Sequence, residues 1–112
     1  MKPLWDEGLP ASITVCDAEG VILWMNKRAI ESFKEEGGEA LIGKNLSECH
    51  PEHANVIIGD MLRNKSRNVY TIEKDGKKKL IYQSPWYREE NFAGLVELSL
   101  EIPAELPHFI RS

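Results

Sequence analysis

The sequence has few of the features that define specialised protein classes. Its 112 residues include only two cysteines, Cys16 and Cys49, which is too few for a disulfide scaffold and fits a reducing compartment where both remain thiols. No apolar run approaches the roughly 18 residues of a membrane span. The N-terminus turns acidic at Asp6 and Glu7 before the apolar stretch of a signal peptide develops. The sequence therefore predicts a cytoplasmic protein that does not enter the membrane.

An excess of positive charge is also missing. The chain has 14 Lys and Arg residues against 18 Asp and Glu residues, and its formal net charge is -4. The basic run from Lys77 to Lys79 follows a glycine in a predicted turn, where lysines discourage pairing between sheet edges. We therefore expect no nucleic-acid partner.

The sequence also lacks the residue sets that catalysis needs. It has no nucleophile with a matching base and no glycine-rich phosphate loop. Cys49, His50 and His53 are metal-ligand types, but a zinc site needs a fourth ligand, and adjacent residues rarely bind one ion together. We therefore expect neither an enzyme nor a metal site.

What is present is an ordinary globular composition, with 42% apolar and 29% charged residues, which suits one domain with one core. Ile13 and Val15 alternate with polar residues as in a strand with one buried face. Gly20 suits a short turn, and residues 21–25 return as a second strand. Asn26 then stands where a helix N-cap is expected.

The second half of the chain predicts a helix followed by three strands. The helix begins near Pro51, and its apolar residues recur at helical spacing. These residues are Ala54, Ile57, Ile58, Met61 and Leu62. Asp75-Gly76 predicts a hairpin, and the last strand alternates apolar residues, from Val96 to Ile102, with polar ones. One face of that strand should be buried, and the other should be exposed to solvent or contact a partner. This order of elements predicts an α+β fold, with an antiparallel sheet and helices packed on one face.

Several segments, in the right order, resemble the PAS domain family. The family opens with Asp-x-x-Gly-x-Ile and then Asn before a helix, and the matching residues are Asp17, Gly20, Ile22 and Asn26. The later matches are Leu41 to Glu48, Ser84-Pro85 and Gly94 to Ile102. A Cys-His-Pro run at residues 49–51 is similar to one subgroup of bacterial PAS domains. The resemblance implies a PAS-like sheet of five antiparallel strands.

The resemblance covers residues 9–102 and leaves an N-terminal segment, residues 1–8, and a C-terminal tail, residues 103–112. Trp5 and Leu9, four residues apart, predict a short helix that packs on a partner. Pro103 stands where many PAS domains continue into a coiled coil, so no output domain is expected in this chain.

PAS domains fold around a pocket that holds haem, flavin, organic acids, apolar metabolites or nothing. The side chains that we expect to face it are Trp24, Phe33, Ile57, Met61, Tyr70, Ile72, Tyr82, Trp86, Val96 and Leu98. They either fill a core or line a small-molecule site. Flavin is not expected, because the reactive-cysteine run of flavin photosensors is missing.

Haem remains an alternative because haem-binding PAS domains take an axial histidine from the helix that follows residues 49–51. His53 is the better candidate, since His50 precedes a proline that favours extended backbone. A single neutral imidazole in the pocket would hold the iron. In the competing interpretation His50 belongs to the helix cap and His53 lies on the solvated face.

The sequence thus predicts a sensor or signalling module that binds a small molecule or a protein partner and transmits the signal by association. The alternatives are a ligand-free dimerisation or interaction domain and a haem-binding gas or redox sensor. A cavity of several hundred Å³, the size of small-molecule sites, would favour the first hypothesis, and a filled interior the second. A homodimer or a signalling protein is the expected assembly.

Overall fold

The structure is a computed structural model that describes residues 4–48 and 50–112, so Cys49 and residues 1–3 lie outside it. The α-helices of the described part are α1 (Trp5–Gly8), α2 (Lys27–Ser32) and α3 (Glu52–Asn64). Short 3-10 turns span Lys34–Glu36, Gly38–Leu41 and Leu46–Glu48. The strands are β1 (Ala11–Asp17), β2 (Ile22–Met25), β3 (Asn68–Lys74), β4 (Lys77–Arg88) and β5 (Asn91–Ile102).

The described strands form one five-stranded antiparallel sheet in the order β2-β1-β5-β4-β3. The predicted α+β fold, with an antiparallel sheet and helices, is confirmed. β5 lies at the centre and pairs with β1 on one side and β4 on the other. It ends at Ile102, and the division of the chain at residues 8 and 102 stays a prediction.

Two hairpin turns follow from their local sequence. In the β1–β2 turn the Asp17 side chain accepts hydrogen bonds from the amides of Glu19 and Val21, both at 2.9 Å, as in an Asx turn. Gly20 has φ +89°, a backbone conformation that costs glycine little. In the β3–β4 turn Asp75 and Gly76 have φ of 54° and 75°, as a type I′ turn requires at both central positions.

Asn26 caps α2, at the position where the sequence predicted a cap. Its Oδ1 accepts from the amides of Ala29 and Ile13, both at 3.0 Å. Its Nδ2 donates to the carbonyl oxygens of Asp6 at 2.9 Å and Ala11 at 2.8 Å. The side chain is 1% exposed, and this one residue ties α2 to β1 and to the N-terminal segment.

The core lies between the helices and one face of the sheet. One cluster contains Ile22, Met25, Ala29 and Leu41, and the other contains Cys16, Met61 and Leu95. Leu46 packs against both clusters. The segment between α2 and α3 therefore joins the two halves of the core.

The two faces of the sheet differ in composition, and the structure reverses the predicted assignment. Leu95 packs against Met61 of α3, so the odd-numbered residues of β5 face the helices. Val96, Leu98 and Leu100 point away from them. Their cross-strand partners extend this apolar surface onto β1 and β4, and Trp24 extends it onto β2. We call the set Val15, Trp24, Leu80, Tyr82, Val96, Leu98 and Leu100 the outer face.

Trp86 bridges three strands on the outer side of the sheet. It pairs with Gly94 of β5, and its indole Nε1 donates to the Cys16 carbonyl oxygen of β1 at 3.0 Å. Since Gly94 has no side chain, the indole can cross over it to reach β1.

We expect Trp86→Phe to lower the free energy of unfolding by about 1 kcal/mol, because it removes this hydrogen bond and keeps most of the ring. Tyr87→Phe is the matched control, because Tyr87 is exposed and its hydroxyl makes no hydrogen bond to another described residue. Urea denaturation measures both. Equal midpoints for the two variants would mean that the indole bond adds no stability.

Among the described residues, no helix has the length and apolar character needed to cross a membrane. The cytoplasmic location stays a prediction.

Candidate functional site

A small cavity lies between α3 and the inner face of the sheet, which is the face that packs against the helices. The volume of the cavity is about 60 Å³. Most of its wall is apolar and comes from Cys16, Ile22, Met25, Phe33, Leu41, Leu46, Ile58, Met61 and Leu95. The polar side chains on its wall are Thr14, His50, Gln83 and Glu97. The cavity therefore has an apolar side and a polar side.

The polar side is built by cross-strand pairing. Thr14 lies opposite Glu97, and Glu97 lies opposite Gln83. Gln83 in turn lies opposite Asn68. Asn68 Nδ2 donates to Gln83 Oε1 at 2.9 Å, and Gln83 Nε2 donates to Glu97 Oε2 at 2.6 Å. We call these four residues the polar row, which crosses β1, β5, β4 and β3 on the helix-facing side.

The two candidate histidines lie in different surroundings. His50 is half-buried and borders the cavity, and its Nδ1 lies 2.9 Å from the Leu46 carbonyl oxygen. His53 is exposed on the first turn of α3. The preference for His53 as the inward histidine was therefore wrong. The remaining part of the Cys-His-Pro prediction falls on Cys49, which lies outside the described residues.

Of the ten side chains expected to face the pocket, Phe33 and Met61 line the cavity. Five others lie on the outer side of the sheet, by the alternation of the strands. These five are Trp24, Tyr82, Trp86, Val96 and Leu98. Val96 borders the cavity, but its neighbours Leu95 and Glu97 face the helices, so its side chain points outward.

The remaining three are exposed and do not line the cavity, so their placement in its wall was wrong. Ile57 is 49% exposed on α3, because the side of the helix that packs on the core carries Ile58, Met61 and Leu62. Tyr70 and Ile72 are on the helix-facing side of β3, but β3 is an edge strand, and they are 42% and 37% exposed. Aromatic and apolar character alone did not separate the cavity wall from the rest of the surface.

Haem does not fit these residues. The cavity of about 60 Å³ is far below the roughly 300–1,000 Å³ of sites for drug-sized ligands. His53 is on the solvent side, and His50 has no room beside it for a porphyrin.

Two titratable groups on the inner face respond to their surroundings. Burial raises the pKa of the Cys16 thiol, so this cysteine is not a reactive thiolate. Burial, and then the negative charge of Glu97, raise the pKa of the Tyr70 phenol. The field of Glu97 thus reaches the edge strand β3.

Sequence reasoning missed Thr14, Gln83 and Glu97 as cavity residues. The β3–β4 turn at Asp75-Gly76 places Asn68 opposite Gln83, and that pairing could have been counted from the sequence. The pairing of Gln83 with Glu97 could not, because the β4–β5 register shifts between Trp86 and Tyr87.

Comparison with known proteins agrees with this architecture. The family described as "PAS fold" matches residues 6–67, more than half of the chain. The chain belongs to the PAS family. No curated protein sequence matches it significantly.

Solved structures share the fold at low sequence identity. The PAS domain of BvgS from Bordetella pertussis is 18% identical with a TM-score of 0.66, over 89% of this chain and 82% of that one. A PAS domain from Colwellia psychrerythraea is 23% identical with a TM-score of 0.61, over 88% and 92%. The Aer2 receptor of Vibrio cholerae, described as a dual PAS-heme oxygen sensor, is 16% identical with a TM-score of 0.60, over 83% and 95%.

These relationships define the general class of function. PAS domains of sensor kinases and receptors are sensor and signalling modules, and such domains are generally sensory rather than catalytic. They also commonly mediate signalling interactions and dimerisation.

Proposed function

We propose that this PAS domain senses a small molecule in the cavity beneath Glu97 and transmits its presence by homodimerisation through the outer face. The arrangement of β5 is the observation that supports this proposal. Glu97 borders the cavity, and its neighbours Val96 and Leu98 belong to the outer face. A change at Glu97 therefore acts on the same strand that would contact the partner.

The outer face suits a second copy of the same chain. The seven side chains that define it are apolar or aromatic, and they lie in three adjacent rows of cross-strand pairs, one of which ends at Ser84. The seven side chains carry no charge, and homodimer interfaces are more apolar than the remaining surface. A charged group in contact with them is the Arg67 guanidinium, which lies 5.8 Å from the centre of the Tyr82 ring at the β3 side of the face. Trp24, at one side of this face, is 39% exposed, and aromatic residues are enriched at interfaces.

Leu98→Arg is expected to convert the dimer to a monomer, because it places a charge at the centre of the outer face, where desolvation is costly. Sedimentation velocity measures the association, and circular dichroism checks the fold. Trp24→Arg is a second variant, at an exposed position on the same face. Val56→Arg, on the exposed side of α3, is the matched control and should keep the wild-type association.

Two results would contradict association through this face. One is a wild-type protein that remains monomeric at the highest attainable concentration. The other is a dimer that persists in both Leu98→Arg and Trp24→Arg.

A ligand-free interaction domain is the second candidate function. The small volume of the cavity, about 60 Å³, favours it, because sites for drug-sized ligands have roughly 300–1,000 Å³. This candidate predicts the same effect of Leu98→Arg, but no change in association when a small molecule is added. Sedimentation with and without the probe compounds described below separates the two candidates.

A further inference from the structure

The carboxylate of Glu97 is held in the cavity wall by a one-directional set of hydrogen bonds. Asn68 donates to Gln83, and Gln83 donates to Glu97. The Gln83 amide is thereby oriented with its nitrogen toward the carboxylate and its oxygen toward Asn68. This row fixes Glu97 Oε2 and presents an acceptor group to the cavity.

Glu97 has no cationic partner among the described residues. The ion pairs there join Asp60 to Arg63 and Glu101 to Lys77, on exposed surfaces. His50, on the cavity wall, has one ring nitrogen against the Leu46 carbonyl oxygen. The raised pKa of Tyr70, caused by burial and by the charge of Glu97, is consistent with a negative field on this side of the sheet.

The remaining wall limits what can accompany this carboxylate. Met25, Phe33 and Met61 supply apolar surface. A pure hydrocarbon would strip water from Glu97 without replacing its hydrogen bonds, and an anion would be repelled by it. A compound with a short alkyl group and a cationic N–H donor satisfies both parts of the wall.

We propose that the cavity binds a small organic ammonium cation, with its nitrogen donating to Glu97 and its alkyl group against Met61. This proposal rests on the proposed function, in which the cavity is the ligand site. A volume of about 60 Å³ sets the size at a few non-hydrogen atoms. Thr14 and Gln83 provide further polar atoms beside Glu97.

The test uses three probe compounds of similar size: ethylammonium chloride, sodium acetate and ethanol. They carry a positive charge, a negative charge and no charge. Met25 and Met61 both line the cavity, so the ¹³C-methyl signals of the methionines report occupancy. Sodium chloride at equal ionic strength corrects for general salt effects.

Ethylammonium should shift the Met25 and Met61 methyl signals saturably, with a Kd no tighter than roughly 1 mM for a ligand of this size. It should bind at least about tenfold more tightly than acetate or ethanol, because a charge-assisted hydrogen bond is lost with either. These measurements need only the wild-type protein.

Glu97→Gln keeps the shape of the side chain and removes its charge, and we expect it to weaken ethylammonium binding about 10- to 100-fold. Glu101→Gln is the matched control. Glu101 lies on the same strand, but it is exposed and pairs with Lys77 outside the cavity, so this variant should bind as wild type does.

The outcomes separate the two levels of the proposal. If acetate or ethanol binds as tightly as ethylammonium, or if Glu97→Gln binds ethylammonium unchanged, the cation specificity is overturned and the cavity remains a ligand site. If none of the three compounds shifts the methionine signals, both the cation specificity and the ligand site are overturned. The ligand-free interaction domain would then be the remaining function.

Discussion

Gly94→Ala should lower the free energy of unfolding by about 3 to 5 kcal/mol, which corresponds to a fall in Tm of more than roughly 10 °C. Gly94 has φ +146°, a conformation that residues with a side chain rarely adopt. A Cβ at this position would overlap the Cys16 carbonyl oxygen and come within 2.6 Å of the Asp17 carbonyl carbon. Both atoms belong to the backbone of β1, so they cannot move aside without disturbing the sheet.

The clash would act at the centre of the molecule. Asp17 pairs with Gly94 across β1 and β5, and the Trp86 indole crosses Gly94 to the Cys16 carbonyl oxygen. An added methyl group would push β1 away from β5 and also disturb this indole. The expected loss therefore combines backbone strain with overpacking, each worth about 1–3 kcal/mol.

Gly43→Ala is the matched control for Gly94→Ala. Gly43 also has a positive φ, +97°, but a Cβ there would meet no atom within 4 Å. This variant should lose about 1 kcal/mol from strain alone. Thermal denaturation followed by circular dichroism compares the two. If they melt at the same temperature, the close approach of β1 to β5 at Gly94 is wrong.

Asn26→Asp is expected to have the second large effect, again about 3 to 5 kcal/mol of unfolding free energy at neutral pH. The amide nitrogen of Asn26 donates to the carbonyl oxygens of Asp6 and Ala11. A carboxylate oxygen in its place would face two acceptors at a position that is 1% exposed. Each unsatisfied buried group costs about 1–3 kcal/mol, and the buried charge adds to this.

The effect of Asn26→Asp separates the donor role of Asn26 from its role as a cap. Aspartate is a good N-cap residue, so the bond to the Ala29 amide would be kept and only the two donated bonds would be lost. Asn64→Asp, at the exposed end of α3, is the control and should cost less than about 1 kcal/mol. A melting temperature of Asn26→Asp equal to that of Asn64→Asp would contradict the observed network.

Local sequence was enough to predict most of the elements. The turn at Asp75-Gly76 has positive φ at both positions, and helix α3 begins at Glu52, directly after the predicted start at Pro51. Asn26 is at the N-cap of α2. These features depend on interactions between residues close together in the chain, which is why the sequence could predict them.

The cavity wall was predicted poorly because burial was inferred from hydrophobicity. Val96 and Leu98 were expected to face the pocket, but they lie on the outer face, and the half-buried Glu97 borders the cavity instead. An apolar alternation shows that a strand has two different faces. It does not show which face the helices cover.

A single irregularity in the sheet decides this arrangement. Between the pairs Trp86–Gly94 and Tyr87–Phe92, Ala93 has no partner, so the β4–β5 register shifts by one residue. Counted from the Arg88–Asn91 pair without the shift, Gln83 would lie opposite Val96, and polar side chains would face apolar ones. A register shift of one residue changes which face of β4 is matched with which face of β5.

The sequence by itself determined the strands, the helices, their turns and the family, because these depend on local pattern. The tertiary structure decided which sheet face packs on α3, and hence that Glu97, Gln83 and Thr14 meet at the cavity while the apolar residues of β5 remain available to a partner. The physical reason is that register and face are set by the shift at Ala93 and by the packing of Leu95 against Met61. The packing joins residues that are far apart in the chain, and the shift is a bulge that no local sequence pattern specifies.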